Sequence, residues 1–416
     1  MKKYPLPLYS LVAIAALGIT APDAYAQSQV EGSVDVSGNV GYSSNPFLSA
    51  GDGTDAVVVQ LEVRPAIDWR TERDLIHLEG FYTRTEYIDS FDATDAVGAI
   101  LNASSRIDEQ STLRSVIAFD SSILGTGDVL LGRPGGTAVV TPGTPDPSVP
   151  PDAAAPPPLS GVDELPDGDI DLIGLRQRRN SLSAAVTAEL RPDARSTWTF
   201  SVNAAGADYP GSGRVASSYR SVGLSANYRR SLSERTSVGA RAEEYVVDYK
   251  AGTTSKVYTL QGFASHRLAE FWSFESSAGV SILDADQSLV MFAGQASVCN
   301  AQLLAKFCLT GSRAPVVSGF SGIRGQTSVG ASFDATLDPK STVAGSLTYV
   351  WVGQDRQSAL GQRRFVALGA TYRREIDGRI SFFTAVNGRY LDTAGLKARR
   401  DASVRAGAVI RFGGHR

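Results

Sequence analysis

The chain is short of the residues from which most catalytic and metal sites are built. Its 416 residues include three histidines, two cysteines and two methionines. Nucleophilic hydrolysis needs a base beside the nucleophile, commonly a histidine. His415 is at the chain end, His77 pairs with Glu79 on one face of an alternating segment, and His266 shares a face with Tyr258 and Leu260. The spacing predicts a satisfied polar pair for His77 rather than a catalytic dyad. No phosphate-binding loop or zinc signature is present, so no enzyme, metal or cofactor is expected. Long apolar runs are missing too. Past residue 30 nothing approaches the roughly 20 apolar residues of a membrane-spanning helix, which excludes a helical inner-membrane protein. No basic tract points to nucleic acid, and the net charge is -3.

What is present begins with a leader pattern. Lys2 and Lys3 precede a ten-residue apolar run, Leu11 to Thr20, and Ala24-Tyr25-Ala26 forms a small-x-small cleavage site. Residues 1–26 are expected to be a secretory signal peptide, cut between Ala26 and Gln27. The remainder, 27–416, keeps one texture from end to end and reads as one repeated architecture.

That texture is alternation with period two, which puts apolar side chains on one face of a strand. Val59, Leu61, Val63, Pro65, Ile67 and Trp69 interleave with Gln60, Glu62, Arg64, Ala66 and Asp68. The pattern recurs at Leu182–Leu190, Trp198–Gly206, Val222–Tyr228 and Ile380–Tyr390. A soluble sandwich also alternates, but here the polar face carries charge along whole strands, as a wet lumen does. Aromatics fall near strand ends (Tyr42, Trp69, Tyr87, Trp198, Tyr209, Tyr228, Trp272, Tyr349, Trp351, Tyr372, Tyr390, Phe412), where interfacial girdles are expected.

These segments predict an all-β fold: a transmembrane antiparallel barrel of about 16 strands. The strands fall near 30–42, 57–69, 74–88, 93–105, 111–123, 178–190, 196–208, 216–230, 236–249, 255–267, 271–283, 322–335, 341–353, 363–374, 379–391 and 401–412. Every second connection is short, as periplasmic turns are, and several resemble one another: Pro192-Asp193-Ala194-Arg195-Ser196 beside Leu337-Asp338-Pro339-Lys340-Ser341. Two long external loops are expected. Residues 124–177 hold ten of the nineteen prolines and an acidic run, Asp163 to Asp171. Proline at this density opposes regular pairing. The loop either stays outside or folds over the mouth of the lumen. Residues 284–321 contain Cys299 and Cys308. An exported compartment is oxidising and the number is even, so a disulfide is expected; the alternative metal site would have only two ligands.

On this reading the lumen is lined by Arg64, Arg114, Arg229, Arg267, Arg389, Arg405 and Arg411, with Glu62, Asp68, Glu79, Asp120, Glu189, Glu275 and Asp334. Phe81 and Phe383 are candidate inward aromatics. Outer-membrane lipid is the expected surrounding. The final stretch, Val404 to Phe412, puts Val404, Ala406, Ala408, Ile410 and Phe412 on one face, the closing-strand pattern that the barrel-assembly machinery reads.

The segment Gly38-Asn39-Val40-Gly41-Tyr42-Ser43-Ser44-Asn45-Pro46-Phe47, with the strand-turn texture and the length, resembles the outer-membrane beta-barrel porin-2 group. That resemblance implies a location in the Gram-negative outer membrane. It also implies a link with exopolysaccharide secretion, hence passage of a polysaccharide with help from periplasmic export proteins. A general diffusion porin for small solutes is the alternative, and a structural or adhesive barrel a third.

Overall fold

The computed structural model describes residues 28–51, 54–123, 170, 173–174, 176–211, 216–250, 252, 254–284, 288–319, 322–353 and 361–413. The expected signal peptide, most of the proline-rich loop and His415 lie outside the described residues.

The described chain is eighteen strands and no helix. In order they are β1 (Gln29–Ser43), β2 (Ala56–Arg70), β3 (Asp74–Ile88), β4 (Phe91–Arg106), β5 (Ser111–Ile123), β6 (Arg178–Asp193), β7 (Ser196–Asp208), β8 (Tyr219–Ser231) and β9 (Thr236–Tyr249). The second half runs β10 (Thr254–Arg267), β11 (Trp272–Asp284), β12 (Leu289–Ala301), β13 (Ala305–Ser318), β14 (Gly322–Asp338), β15 (Ser341–Val352), β16 (Arg363–Glu375), β17 (Ile380–Thr393) and β18 (Arg399–Gly413). Each strand pairs antiparallel with the next, and β18 pairs with β1 from Ser33↔Gly413 to Ser43↔Ser403, so the sheet has no edge. Arg411 and Asp35 face each other across that closure in a two-pronged ion pair, both arms 2.8 Å.

The count corrects the expected sixteen. The segment 284–321 is not an external loop: it contains β12 and β13, joined by a turn at residues 302–304. Cys299 and Cys308 are directly opposed in this hairpin, with Cα atoms 4.1 Å apart, and are joined as a disulfide near the periplasmic end. An extra hairpin adds one short turn and leaves the alternation of short and long connections unchanged, so that alternation could not expose it.

The faces are the reverse of those of a soluble protein. Leu61 is 52% exposed, while Gln60 and Glu62 on either side are 5% and 9% exposed. Val202, Leu224, Leu260 and Phe382 likewise point outward and are exposed. In water such a surface would be an aggregation patch; in hydrocarbon it is the buried one. Every backbone group in hydrocarbon must be paired within the protein, which requires a closed sheet. Aromatics mark both rims. Trp198 and Tyr228 sit side by side on the outer face, ring centroids 4.6 Å apart, near the periplasmic end. Tyr349 and Trp351 lie on the outer face at the external end of β15. Tyr87 and Tyr209 depart from the expected girdle: at 5% and 4% exposed, they turn inward into apolar clusters.

Four of the eight short turns share one device. Asp108, Asp193, Asp338 and Asp377 each accept the N–H of the residue two places on, at 2.7–2.8 Å. A side chain that caps its own turn in this way fixes hairpin register locally. The whole is an outer-membrane β-barrel.

Candidate functional site

The functional surface of such a barrel is its inner wall. Strand registers put all the expected lining residues on that face: Arg64, Arg114, Arg229, Arg267, Arg389, Arg405, Arg411, Glu62, Asp68, Glu79, Asp120, Glu189, Glu275 and Asp334. They do not converge on one centre. They form separate groups along the wall.

One group runs down β2 and β3. Thr83 Oγ1 donates to Glu62 Oε2 at 2.9 Å, Arg64 Nε contacts Glu62, and Arg64 reaches Glu79 at 3.6 Å. His77 follows, 3.6 Å from Glu79 and 3.0 Å from Asp68. The His77–Glu79 pair is therefore one link in a chain in which carboxylates alternate with nitrogen-bearing side chains. A second group centres on Glu189, which Arg191 meets at 2.6 Å and Arg114 at 3.7 Å. Arg405 donates to Gln60 at 3.4 Å, Arg229 lies over the Phe263 ring, and Asp120 accepts from Ser122 at 2.7 Å. Arg267, Glu275 and Asp334 lie nearer the periplasmic end. Phe81 and Phe383 cover glycines of the neighbouring strand, Gly98 and Gly407, as Phe263 covers Gly239. Their rings fill space that no Cβ occupies instead of standing into the bore.

Two inserts narrow the external half of the lumen. The first is the β1–β2 connection. Phe47 and Leu48 are fully buried. Leu48 packs with Ile170 and Ile173 against Val350, Phe365 and Leu391 on the inner face of β15–β17. Phe47 meets Tyr87 at a tilt and Phe91 edge-on, with ring centroids 4.9 and 5.0 Å apart, and the Arg176 guanidinium lies 4.4 Å over its ring. The described end of the proline-rich segment therefore folds inward.

The anchor of this insert is polar. Arg389 and Asp401 form an ion pair of 2.6 Å with both side chains 1% exposed. Asp401 also accepts from Ser43 Oγ at 2.7 Å and from the Asn45 N–H at 2.9 Å. Arg389 donates onward to the Pro46 carbonyl at 2.9 Å. Arg399 donates to the Leu48 carbonyl at 3.1 Å and Arg363 to that of Ile170 at 3.0 Å. Three wall arginines thus satisfy buried carbonyls of two inward-folded connections, β1–β2 and β5–β6, which otherwise would cost free energy unpaired. Leu48 has φ 51°, a conformation rare outside glycine. Of these anchors the sequence pattern marks only Arg389 as lining. Asp401, two residues beyond the start of β18 and on its inward face, is the missed partner; its inward parity was the available signal.

The second insert is the external end of the β13–β14 hairpin, which leaves the wall and lies across its inner face. Ile323 and Val317 pack with Val247, Tyr249, Val257 and Leu283 of β9–β11. The Tyr245 hydroxyl donates to the Pro315 carbonyl at 3.4 Å, and the Ser217 N–H to the Gly319 carbonyl at 2.6 Å. Beneath it lies a cavity of ≈ 270 Å³ lined by Arg179, Arg241, Glu243, Gln261, Gln295 and Ser312 among others.

No family model matches the chain, and no curated protein matches it. Among solved structures it is similar to OpdQ of Pseudomonas aeruginosa, with 9% identity and a TM-score of 0.46 over 92% of this chain and 99% of that one. It is also similar to OccK2 (OpdF) of Pseudomonas aeruginosa in complex with glucuronate, with 9% identity and a TM-score of 0.46 over 92% and 98%. A BenF-like porin from Pseudomonas fluorescens Pf-5 matches with 7% identity and a TM-score of 0.45 over 92% and 99%. No residue role is carried over from these barrels.

Proposed function

We propose that the barrel is a diffusion channel for small polar solutes. The observation that carries this reading is a wet, ion-paired inner wall whose external half is narrowed by two inserts held to that wall. A barrel of this strand number holds an aqueous channel unless something fills it, and inserts that narrow its external half favour small molecules over polymers. Lining charges of both signs, Arg64 and Arg405 beside Glu62 and Glu79, favour hydrated solutes without strong ion selection. Solutes pass unchanged, so the protein is not an enzyme.

Passage of an exopolysaccharide needs a continuous bore for linked sugar rings. Two inserts anchored by buried contacts oppose it. The two readings separate by experiment. Purified protein in planar bilayers should give stable ohmic channels, and proteoliposomes should swell in monosaccharides but not in long oligosaccharides. Absence of conductance would remove the channel reading. Polymer trapped in the periplasm of a clean deletion strain would restore the polysaccharide reading, together with periplasmic export partners.

A further inference from the structure

The wall has one irregular seam. The β12–β13 ladder covers eight residue pairs, from Gly294↔Arg313 to Ala301↔Lys306, and every other ladder in the sheet covers ten or more. Above Gly294, β12 stays paired with β11 as far as Leu283↔Leu289. Above Arg313, β13 stays paired with β14 as far as Ser318↔Gly322. The two strands part because the hairpin turns into the lumen. Proline has no N–H to give a ladder, and the ladder stops two residues before Pro315.

The chemistry at the parting is unlike the rest of the wall. Arg313 sits at its base and donates to Thr327 Oγ1 at 3.0 Å. Among the described residues no carboxylate forms an ion pair with it. Arg313 and Met291 flank the same spot: a Cβ at Gly325 would lie 3.5 Å from the Met291 sulfur and 4.0 Å from an Arg313 nitrogen. The lumenal cavity reaches this place, since Ala293 and Gly294 on one side and Arg313, Ala314 and Pro315 on the other belong to its lining. On the lipid side the lips are apolar: Val290 and Phe292 are 65% and 56% exposed. The level is that of the external aromatic rim, since Trp351 is paired with Thr327, opposite Arg313.

We propose that this seam binds a single-chain alkyl anion. The carboxylate or sulfate head meets Arg313 at the base of the seam, and the chain lies along Val290 and Phe292 in the outer leaflet. An arginine fork pairs well with such a head, and a chain against exposed apolar lips needs no new burial of polar groups. Because the cavity opens on the same residues, the head is reached from the lumen, which makes the seam a sideways route between channel and membrane. The proposal adds an amphiphile to a channel assigned to polar solutes and stands without that assignment.

The test uses the folded full-length barrel in nanodiscs of uncharged phosphatidylcholine and a C16 alkyl carboxylate carrying a diazirine, with cross-linked sites mapped by mass spectrometry. Saturable labelling concentrated on residues 289–293 and on the β13–β14 stem is expected. Arg313→Gln should lower it about tenfold and Arg313→Lys should restore part of it, while labelling at Phe200 and Val202 on β7 stays constant. In the wild-type protein, unlabelled dodecyl sulfate should compete and dodecanol should not, a readout that does not depend on any variant folding. Equal labelling at the seam and on β7, or equal competition by the alcohol, would overturn the proposal. A two-chain phospholipid that holds the seam against alkyl anions would overturn it as well. Bilayer conductance of the same preparation tests the channel reading separately.

Discussion

The two inserts narrow the same end of the same lumen with different balances of polar and apolar contact. The β1–β2 insert adds to the apolar seats of Phe47 and Leu48 a buried Arg389–Asp401 pair and two arginines, Arg389 and Arg399, on its carbonyls. The β13–β14 insert is tied by apolar packing of Ile323 and Val317 on β9–β11. A polar tie is specific in geometry and fails when one partner is lost, because a buried charge remains uncompensated. An apolar tie is graded, weakening with each methylene removed.

The largest effect should come from cutting the polar tie at one partner. Asp401→Ala strands Arg389 and should cost about 3–5 kcal/mol of stability. The heat-modifiability midpoint should fall and single-channel conductance should rise as the loop comes free. A variant with wild-type conductance would show that the loop does not set the bore. Next is the apolar tie. Leu283→Ala should cost about 2–5 kcal/mol, and Val257→Ala should add a smaller loss. Because the two inserts share no anchoring residues, the Asp401 and Leu283 effects on stability should add. Strong coupling between them would mean that the inserts move as one body.

The disulfide lies below the second insert, tying the periplasmic half of β13 to β12. Opening the nine-residue separation between Cys299 and Cys308, by Cys299→Ser with Cys308→Ser, should cost about 2–3 kcal/mol on a chain-entropy account. The loss should appear in the urea midpoint for folding into detergent, with conductance of the folded channel unchanged. A conductance change would place the β12–β13 bridge in control of the insert above it.

The smallest effect lies in the turns, outside both regions. The backbone N–H groups of Arg379 and Ile380 hold the Asp377 carboxylate below its ordinary pKa. Its folded pKa is depressed, so its contribution is fully present above the unfolded value and is lost as pH falls through the lowered one. The wild type should therefore lose a little stability in the acid range just below ordinary carboxylate titration. Asp377→Asn, which still accepts but does not titrate there, should lose less in that window, by the share of this one turn. Thermal melts in detergent across acid pH would show the difference, and parallel curves would dismiss it.

The barrel was legible where one face meets lipid and the other water, because that contrast imposes period two. It was not legible in β12 and β13, for the same reason. The outward set of β12 includes Gly294, Ala296 and Asn300, which gives weak contrast. The outer part of β13 reads Ala314-Pro315-Val316-Val317, with neighbours alike and a proline between. A hairpin tucked inside the lumen has no lipid face, so nothing selects alternation there. The parity of short and long connections is blind to any missed pair of strands. Among site residues, single-strand parity found which side chains point inward. It could not find that Asp401 and Arg389 meet a loop some 340 residues away, since no local pattern encodes that meeting.

The ion pair that seals the sheet joins Asp35 and Arg411, 376 positions apart. A ribosome has made seventeen strands and most of the eighteenth before the second of these exists, so the cylinder cannot shut earlier in synthesis. Each hairpin must first hold its own register, and the side chains of the turns supply that memory. Once shut, the sheet has no intrinsic beginning: where the two chain ends fall around its circumference is an accident of order rather than a demand of the shape.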